Sequence, residues 1–413
     1  MSGNSLTITE TGLQTIDTAL QAVSDNLANA ETIGFKAESA EFGTLLGSLV
    51  GNNALGGGAE ITGLYRDFSQ GAIVQSNSPT DLAIQGNGFF IFQDSAGIQA
   101  YSRDGQLSIG PNGTLVGSTG DPLLGFALNS AGAASGVLAP LTIPQTVAAP
   151  TASAKVALSG NLDAADPALT GAINPSNASS YSASVSVQVF DSLGQSHVLT
   201  FYFQNAGPTA GTPPNEQWNW LATLDGSTTG LSNNTGTVEF NSAGAVVSGA
   251  TPAAALTATV TGAAPLSLAL NLGSLTQYAA TSAATGTADG NPVGTPEGVQ
   301  VSSTGVISVS YSNGETSNVG QVALATLPSL EGLSLTASGL LQATSASGAP
   351  TISTPGAGSA GVIRPSALES SNVDSTSQLV NLIALQRSFQ ANAQALQTAA
   401  NMEADIVQLQ IQP

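Results

Sequence analysis

The last forty residues constrain this chain most. From Gln378 onward there is no glycine, and no proline before the final residue, while Leu382, Leu385, Phe389, Leu396, Ala399, Met402, Ile406 and Leu409 recur at intervals of three, four or seven. That spacing predicts one continuous amphipathic helix, because 3.6 residues per turn brings such positions to one face. Asp374, Ser375 or Thr376 can cap its start, where a short side-chain oxygen accepts from the unpaired N–H groups of the first turn. A helix of about 35 residues is about 50 Å long, so its apolar stripe needs cover from elsewhere. The N-terminus offers a match. Leu13, Ile16, Leu20, Val23 and Leu27 alternate steps of three and four, the a/d seam of a heptad. The two ends are expected to pair with each other, or with the same ends of neighbouring copies.

The polar face of the C-terminal helix carries Gln386, Gln390, Asn392, Gln394, Gln397, Asn401, Gln408 and Gln410, with only Arg387, Glu403 and Asp405 charged. A solvated helix face is usually richer in Lys and Glu. Amides both donate and accept, so they tolerate burial against identical copies. The alternative is a capped two-helix hairpin in a monomer with an amide-rich surface.

Length and charge bound the rest. At 413 residues the chain should form two to four domains. Its formal net charge of −20 argues against nucleic acid or an anionic membrane as partner. Lys36, Arg66, Arg103, Lys155, Arg364 and Arg387 are the only basic side chains, and none falls between Lys155 and Arg364. The middle is therefore a compositional unit of its own. The absence of cysteine excludes disulfides, thiolate nucleophiles and Cys-ligated metals. The N-terminus has no basic region followed by an apolar one, so no ordinary secretory signal is expected. The Ala/Thr/Leu stretch from Ala253 to Leu275, broken by Pro265, does not qualify as a membrane span.

Along the chain, Asn26 to Phe35 reads as a helix stop, with Asn29 and Gly34 supplying the ending chemistry. Residues 36–70 have weak periodicity and a Gly56-Gly57-Gly58 cluster, and are expected to be a linker or an assembly-dependent segment. Short strands follow to about residue 145, with Asp104-Gly105 and Asn112-Gly113 as two-residue hairpin loops. In the charge-poor middle, Val185, Val187 and Val189 alternate before Asp191-Ser192-Leu193-Gly194, and Leu199, Phe201 and Phe203 alternate after it. Trp218 and Trp220 begin another strand. Strands resume with Ile307, Val309 and Tyr311 before Asn313-Gly314. The expected fold is multidomain and mainly β with long, paired terminal α-helices and nested antiparallel β-domains inserted between them. Its parts are residues 1–35 with 366–413, the segment 36–70, an inner β-domain of 71–145 with 293–365, and an outer β-domain of 146–292.

The catalytic inventory is nearly empty, and no enzyme is expected. His197 is the only histidine, in an alternating strand where a surface or cross-strand role is the ordinary one. Gly86-Asn87-Gly88 begins like a dinucleotide loop, but Ile91 stands where the third glycine belongs and strands follow. Asp163 and Asp166 lack further oxygen ligands nearby in sequence. No cofactor and no metal are expected.

The terminal motifs carry a resemblance. Asn26-Leu27-Ala28-Asn29-Ala30-Glu31-Thr32-Ile33-Gly34-Phe35-Lys36 resembles the signature of the flagellar rod and hook family. Ser370-Ser371-Asn372-Val373-Asp374 and Gln386-Arg387-Ser388-Phe389-Gln390-Ala391-Asn392-Ala393 resemble its C-terminal counterpart. Residues 81–90 (DLAIQGNGFF) and Tyr101-Ser102-Arg103-Asp104-Gly105 resemble the family's first β-domain, and Val189 to His197 with Phe201-Tyr202-Phe203 is similar to the outer domain of its hook members. The match covers both ends well and the middle poorly.

The resemblance implies a structural subunit of the hook that self-assembles into a flexible helical tube, a universal joint between rod and filament. It implies assembly through Leu13, Ile16, Leu20, Val23, Asn26, Leu27, Asn29, Gly34 and Phe35 at one end. At the other end it implies Asn372, Asp374, Leu382, Leu385, Gln386, Arg387, Phe389, Gln390, Asn392, Leu396 and Ile406. Expected partners are identical copies, rod, hook-cap and hook–filament junction proteins, and the type III export apparatus, with no nucleic acid and no membrane insertion. A distal rod or other basal-body protein is the alternative. An adhesin or carbohydrate-binding module, with Trp218 and Trp220 stacking on sugar, is another.

Overall fold

The computed structural model describes residues 2–50, 53–129, 132–211 and 214–411, with side chains described for 6–45, 57–129, 132–211, 214–402 and 404. The chain is mainly β with one helix at each end, α1 (Ser2–Ala28) and α2 (Ser375–Ile411). It divides into two compact units, one of residues 1–145, 299–309 and 317–413, the other of 146–298 and 310–316.

In the first unit α1 and α2 pack together, antiparallel, with Gly12 beside Asn392. The stretch 36–70 is not a linker. It holds a long antiparallel hairpin of β1 (Glu38–Val50) and β2 (Asn53–Arg66), which packs on α1. Register shifts after Glu41, Leu45 and Leu46 interrupt its pairing. Each bulge breaks the two-residue alternation that marks a strand, so the hairpin carries little periodicity. Gly58 is required here: its φ is +110°, and a Cβ would collide with Thr11 Oγ1 on α1.

The core of the first unit lies on a six-stranded sheet. Its strands run in the order Ser334–Leu335, Leu341–Gln342, Gln99–Ser102, Phe89–Gln93, Leu324–Thr326 and Thr351–Ser353. Phe89, Ile91, Tyr101, Leu124 and Phe126 are buried against it. Asn112-Gly113 turns between Ser108–Ile109 and Leu115–Val116, with Gly113 at φ +78°. Asp104-Gly105 closes no hairpin. Gly105 accepts the Leu82 N–H at 2.9 Å, and a Cβ there would run into the Leu82 carbonyl oxygen. The dipeptide serves a close backbone crossing instead of a turn.

The second unit is a sandwich of two five-stranded sheets around one core. One sheet is antiparallel throughout, in the order Ala183–Phe190, Ser196–Pro208, Glu216–Leu224, Thr235–Phe240 and Val246–Ser248. In the other, Lys155–Asp163 pairs parallel with Leu266–Tyr278, which corrects the expectation of purely antiparallel β-domains. The inward residues are the alternating set of the sequence: Val185, Val187, Val189, Leu199, Phe201 and Phe203 are all buried. Trp218 and Trp220 are buried too, at 0% and 2% exposure. Gly236 faces Trp220 across the strands, and a Cβ there would come 2.5 Å from the indole. The tryptophans are core, so the sugar-stacking reading loses the residues it rested on.

Residues 293–298 and 310–316 belong with this second unit, although the sequence assigns them to the inner β-domain. Backbone and side-chain bonds hold them there, with Ala148 N–H to Gly294 O at 2.8 Å and Asn313 Nδ2 to Pro292 O at 2.9 Å. His197 bridges two carboxylates. Its Nδ1 lies 2.7 Å from Asp225 Oδ2 and its Nε2 3.5 Å from Asp191 Oδ2. Among the described residues no group of three or more His, Cys, Asp or Glu could hold a metal ion, and no helix is long and apolar enough to cross a membrane.

Candidate assembly site at the chain ends

The place where the two ends of the chain meet is built from buried polar groups. Asn26, on the last turns of α1, is 1% exposed. Its Nδ2 donates to Glu38 O at 2.6 Å and its Oδ1 accepts the Glu38 N–H at 2.7 Å. The amide thus pairs with the start of β1 as a neighbouring strand would. Asn29 caps the helix end from within, its Nδ2 bonding Asp25 O and Oδ1 at 3.0 Å each. Gly34 has φ +70°, its N–H donates to Glu369 O at 2.7 Å, and a Cβ would meet Asp104 N at 2.5 Å. Phe35 O accepts the Asn372 N–H at 3.4 Å.

Asn372 repeats the device of Asn26 from the other end. Its Oδ1 accepts the Ala37 N–H at 2.8 Å, and its Nδ2 donates to Asp67 O at 2.8 Å. It therefore clasps both sides of the hairpin's base. Two residues on, Asp374 is the N-cap of α2, its Oδ1 accepting from Thr376 N at 2.9 Å and Ser377 N at 3.3 Å.

Beneath these clasps lies a charged cluster that the terminal motifs do not announce. Glu369 is fully buried, with Lys36 Nζ at 2.6 Å from its Oε1 and Arg103 Nη1 at 3.1 Å from its Oε2. The Gly71 N–H donates to the same Oε1, Lys36 also donates to Ser69 O at 2.7 Å, and Arg103 Nη2 to Gly86 O at 2.8 Å. The Arg103 guanidinium stands 5.2 Å from the Phe89 ring centroid. Burial pulls both the Lys36 and Arg103 pKa values down, against the opposing pull of Glu369. Two cations share one carboxylate, so the cluster depends on that carboxylate. At the hairpin's base Arg66 pairs with Glu38.

The helix pair differs from the expected seam. On α1 the buried stripe is Thr15, Ile16, Ala19, Ala22, Val23 and Asn26. Leu13, Leu20 and Leu27 are half-buried beside it. Small residues take the centre because both α2 and the hairpin lie close to this helix. On α2, Leu382, Leu385, Asn392 and Leu396 are half-buried, while Gln386, Arg387 and Gln390 are exposed. Phe389 lies on the line of Leu382 and Leu396 yet is 39% exposed. The far face shows Leu379, Val380 and Ile383 at 46%, 65% and 51% exposure. Ile406 is within α2, but its side chain lies outside those described.

Comparison with known proteins places these features in one lineage. Residues 83–164 match the flagellar hook protein FlgE/F/G D1 domain, 158–291 the flagellar basal body protein FlaE D2 domain, and 364–409 the flagellar basal body rod FlgEFG protein C-terminal family. The flagellar hook protein FlgE of Escherichia coli is 34% identical over 397 residues, covering 94% of this chain and 95% of that one. The Salmonella typhimurium hook protein FlgE is 33% identical over 402 residues, with the same coverage. A crystal structure of the Helicobacter pylori flagellar hook protein FlgE2, 16% identical, matches with a TM-score of 0.51 over 72% of this chain and 100% of its own, and so shares the fold. With chain ends clasped by Asn26 and Asn372, and similarity running through both helical and β segments to these relatives, the chain belongs to the flagellar hook protein family.

Proposed function

We infer that this structural subunit of the flagellar hook polymerises through α1 and α2 into a flexible helical tube, with the β units outside the helices. The observation that carries the reading is the uncovered surface of α2. Leu379, Val380, Ile383, Phe389 and Met402 are all exposed on a 37-residue helix, whose stability depends on packing an apolar face. Contacts of α2 with a different patch on the next copy are heterologous, and with a rotation that does not close into a ring they propagate as a helix. Rod, hook-cap and junction proteins would meet the two ends of such a tube. A chain without cysteine can pass the flagellar export apparatus unfolded without forming disulfides.

Flexibility follows from the second unit's surface. Its exposed positions carry Ser and Thr, as in the Ser186 and Thr200 hydroxyl pair at 3.0 Å, and bases are nearly absent there. Such faces slide without breaking strong ion pairs.

The test is Phe389→Asp. Polymer should fail to form, because a carboxylate buried in a helix interface without a partner costs several kcal/mol. Circular dichroism should still show folded β units. Normal, curved polymer by electron microscopy from this variant would overturn the reading.

A further inference from the structure

We propose that Asn87 is a site of spontaneous deamidation, and that the fold selects it over the chain's two other Asn-Gly pairs for conversion to aspartate and isoaspartate. The chemistry requires no second copy.

The pairs are Asn87-Gly88, Asn112-Gly113 and Asn313-Gly314. Asparagine is thermolabile, because the backbone nitrogen of the next residue can attack its side-chain carbonyl carbon, and glycine has no Cβ to stand in the way. Two of the pairs are restrained. The Gly314 N–H donates to Tyr311 O at 2.9 Å, and the Asn313 amide is pinned at both ends, Nδ2 to Pro292 O at 2.9 Å and Oδ1 by the Glu315 N–H at 3.1 Å. The Gly113 N–H donates to Gly110 O at 2.9 Å, and a Cβ there would lie 2.2 Å from Ile143 O, which leaves that glycine little room to turn.

Asn87 differs on both counts. It is exposed, and among the described residues neither its side-chain amide nor the Gly88 N–H has a hydrogen-bond partner. The backbone around it is nevertheless held. The Gly86 N–H donates to Gln70 Oε1 at 3.1 Å, Gly86 O accepts from Arg103 Nη2 at 2.8 Å, and Asn87 O accepts the Gly361 N–H at 2.7 Å. That last bond favours reaction. Asn87 O belongs to the same peptide group as the Gly88 nitrogen, and a donor on it stabilises the negative charge that the group carries once deprotonated. Gly86-Asn87-Gly88, which opens no dinucleotide loop, thus leaves free the groups that must react.

Hydroxide or water removes the Gly88 N–H proton. The nitrogen bonds to Asn87 Cγ, and Nδ2 leaves as ammonia while a succinimide ring closes. Water opens the ring at Cγ to give aspartate, or at the backbone carbonyl carbon to give isoaspartate. Isoaspartate routes the main chain through the side chain and lengthens it just before Gly88. The neighbourhood has no slack for that, since a Cβ on Gly361 would come 2.4 Å from Gln85 O. The product should loosen the pairing of Leu82–Gln85 with Val362–Pro365.

Arg66, Arg103 and Lys155 place the three pairs on separate tryptic fragments. The full chain is aged in mildly alkaline buffer, folded or in denaturant, then digested; tandem mass spectrometry locates each amide-to-acid conversion, and isoaspartate methyltransferase quantifies the isomer. In the folded protein Asn87 should convert several-fold faster than Asn112 and Asn313, and in denaturant the three rates should converge. Asn112 or Asn313 keeping pace in the folded protein, or the same ranking in denaturant, would overturn selection by the fold. So would an Asn87 that stays intact in the folded protein while the denatured chain converts. Both helices lie in the first unit, so helical circular dichroism follows that unit's unfolding. Ageing should lower its denaturant midpoint in the unsubstituted chain and leave Asn87→Ala unchanged; an equal fall in both would remove Asn87 as the cause.

Discussion

Glu369 has no water to fall back on, and neither do the two cations that share it. Replacing it by Gln keeps the shape and removes the charge, which leaves Lys36 and Arg103 buried without a counter-ion. A cost of about 3–5 kcal/mol to the first unit is expected, read as a lowered denaturant midpoint; an unchanged midpoint would show the cluster dispensable. Lys36 and Arg103 both fall in stretches that carry the family resemblance, whereas Glu369 has no periodic or motif signal. Its role arises from three segments far apart in sequence, a convergence that local pattern cannot express. The same holds for His197, which reads as an isolated strand residue because its partners lie on two different turns. Burial lowers its pKa, but the bonds to Asp225 and Asp191 outweigh that and hold it above the ordinary value. Burial likewise works to raise Asp191 and Asp225, but their hydrogen bonds prevail and hold both below the ordinary value. A raised histidine stabilises the fold fully below its unfolded value of about 6.5 and loses that contribution as pH rises through the folded value. Depressed carboxylates contribute above about 3.9 and lose it as pH falls through their folded values. Trp218 and Trp220 are the chain's two tryptophans, both in the second unit's core, so tryptophan fluorescence, excited apart from tyrosine, reports that unit alone. Its unfolding midpoint should fall from neutral to alkaline pH and again in acid, and His197→Gln should flatten the alkaline limb. A midpoint with the same alkaline slope in the variant would remove His197 from the account.

At the scale of elements, the hairpin changes what the termini can do alone. The sequence implies helices that meet only each other, since residues 36–70 look loose, and such ends would be unfolded in the monomer. β1 and β2 instead cover α1, and Asn26 ties the helix to β1. The two helices should therefore differ. In the monomer, amides from Ala19 to Asn26 should exchange slowly and those from Leu396 to Met402 quickly, because α2 keeps most of its surface in water. Polymerisation should protect α2. Equal exchange in the two helices of a verified monomer would show that the hairpin does not support α1. The helices were legible because their period is unbroken over many turns, and the paired strands of the second unit because Val185, Val187 and Val189, then Leu199, Phe201 and Phe203, alternate on either side of the Asp191–Gly194 turn. The hairpin was not, since three register shifts in one pairing erase the alternation that would announce it.

At the scale of the molecule, the long insertion that makes up most of the second unit begins and ends at one place, and residues 310–316 join that unit separately. Ala148 pairs with Gly294 and Thr151 with Asn291, antiparallel, so the flanking chain ends lie side by side. Replacing residues 149–293 by a short glycine linker should leave a first unit that folds and still polymerises, with altered bending stiffness measured from polymer curvature. Loss of all assembly in that variant would show that the second unit is needed for the tube itself. The order of the chain also sets when the first unit can close. Lys36 and Arg103 precede Glu369 by 333 and 266 residues, so in a chain delivered from its N-terminus both cations arrive long before their shared anion. Until residue 369 emerges, folding the region would bury two uncompensated positive charges, and afterwards it buries a matched set. The cluster thus acts as a completeness check: a truncated subunit, however well its early strands form, lacks the one side chain that lets its base shut.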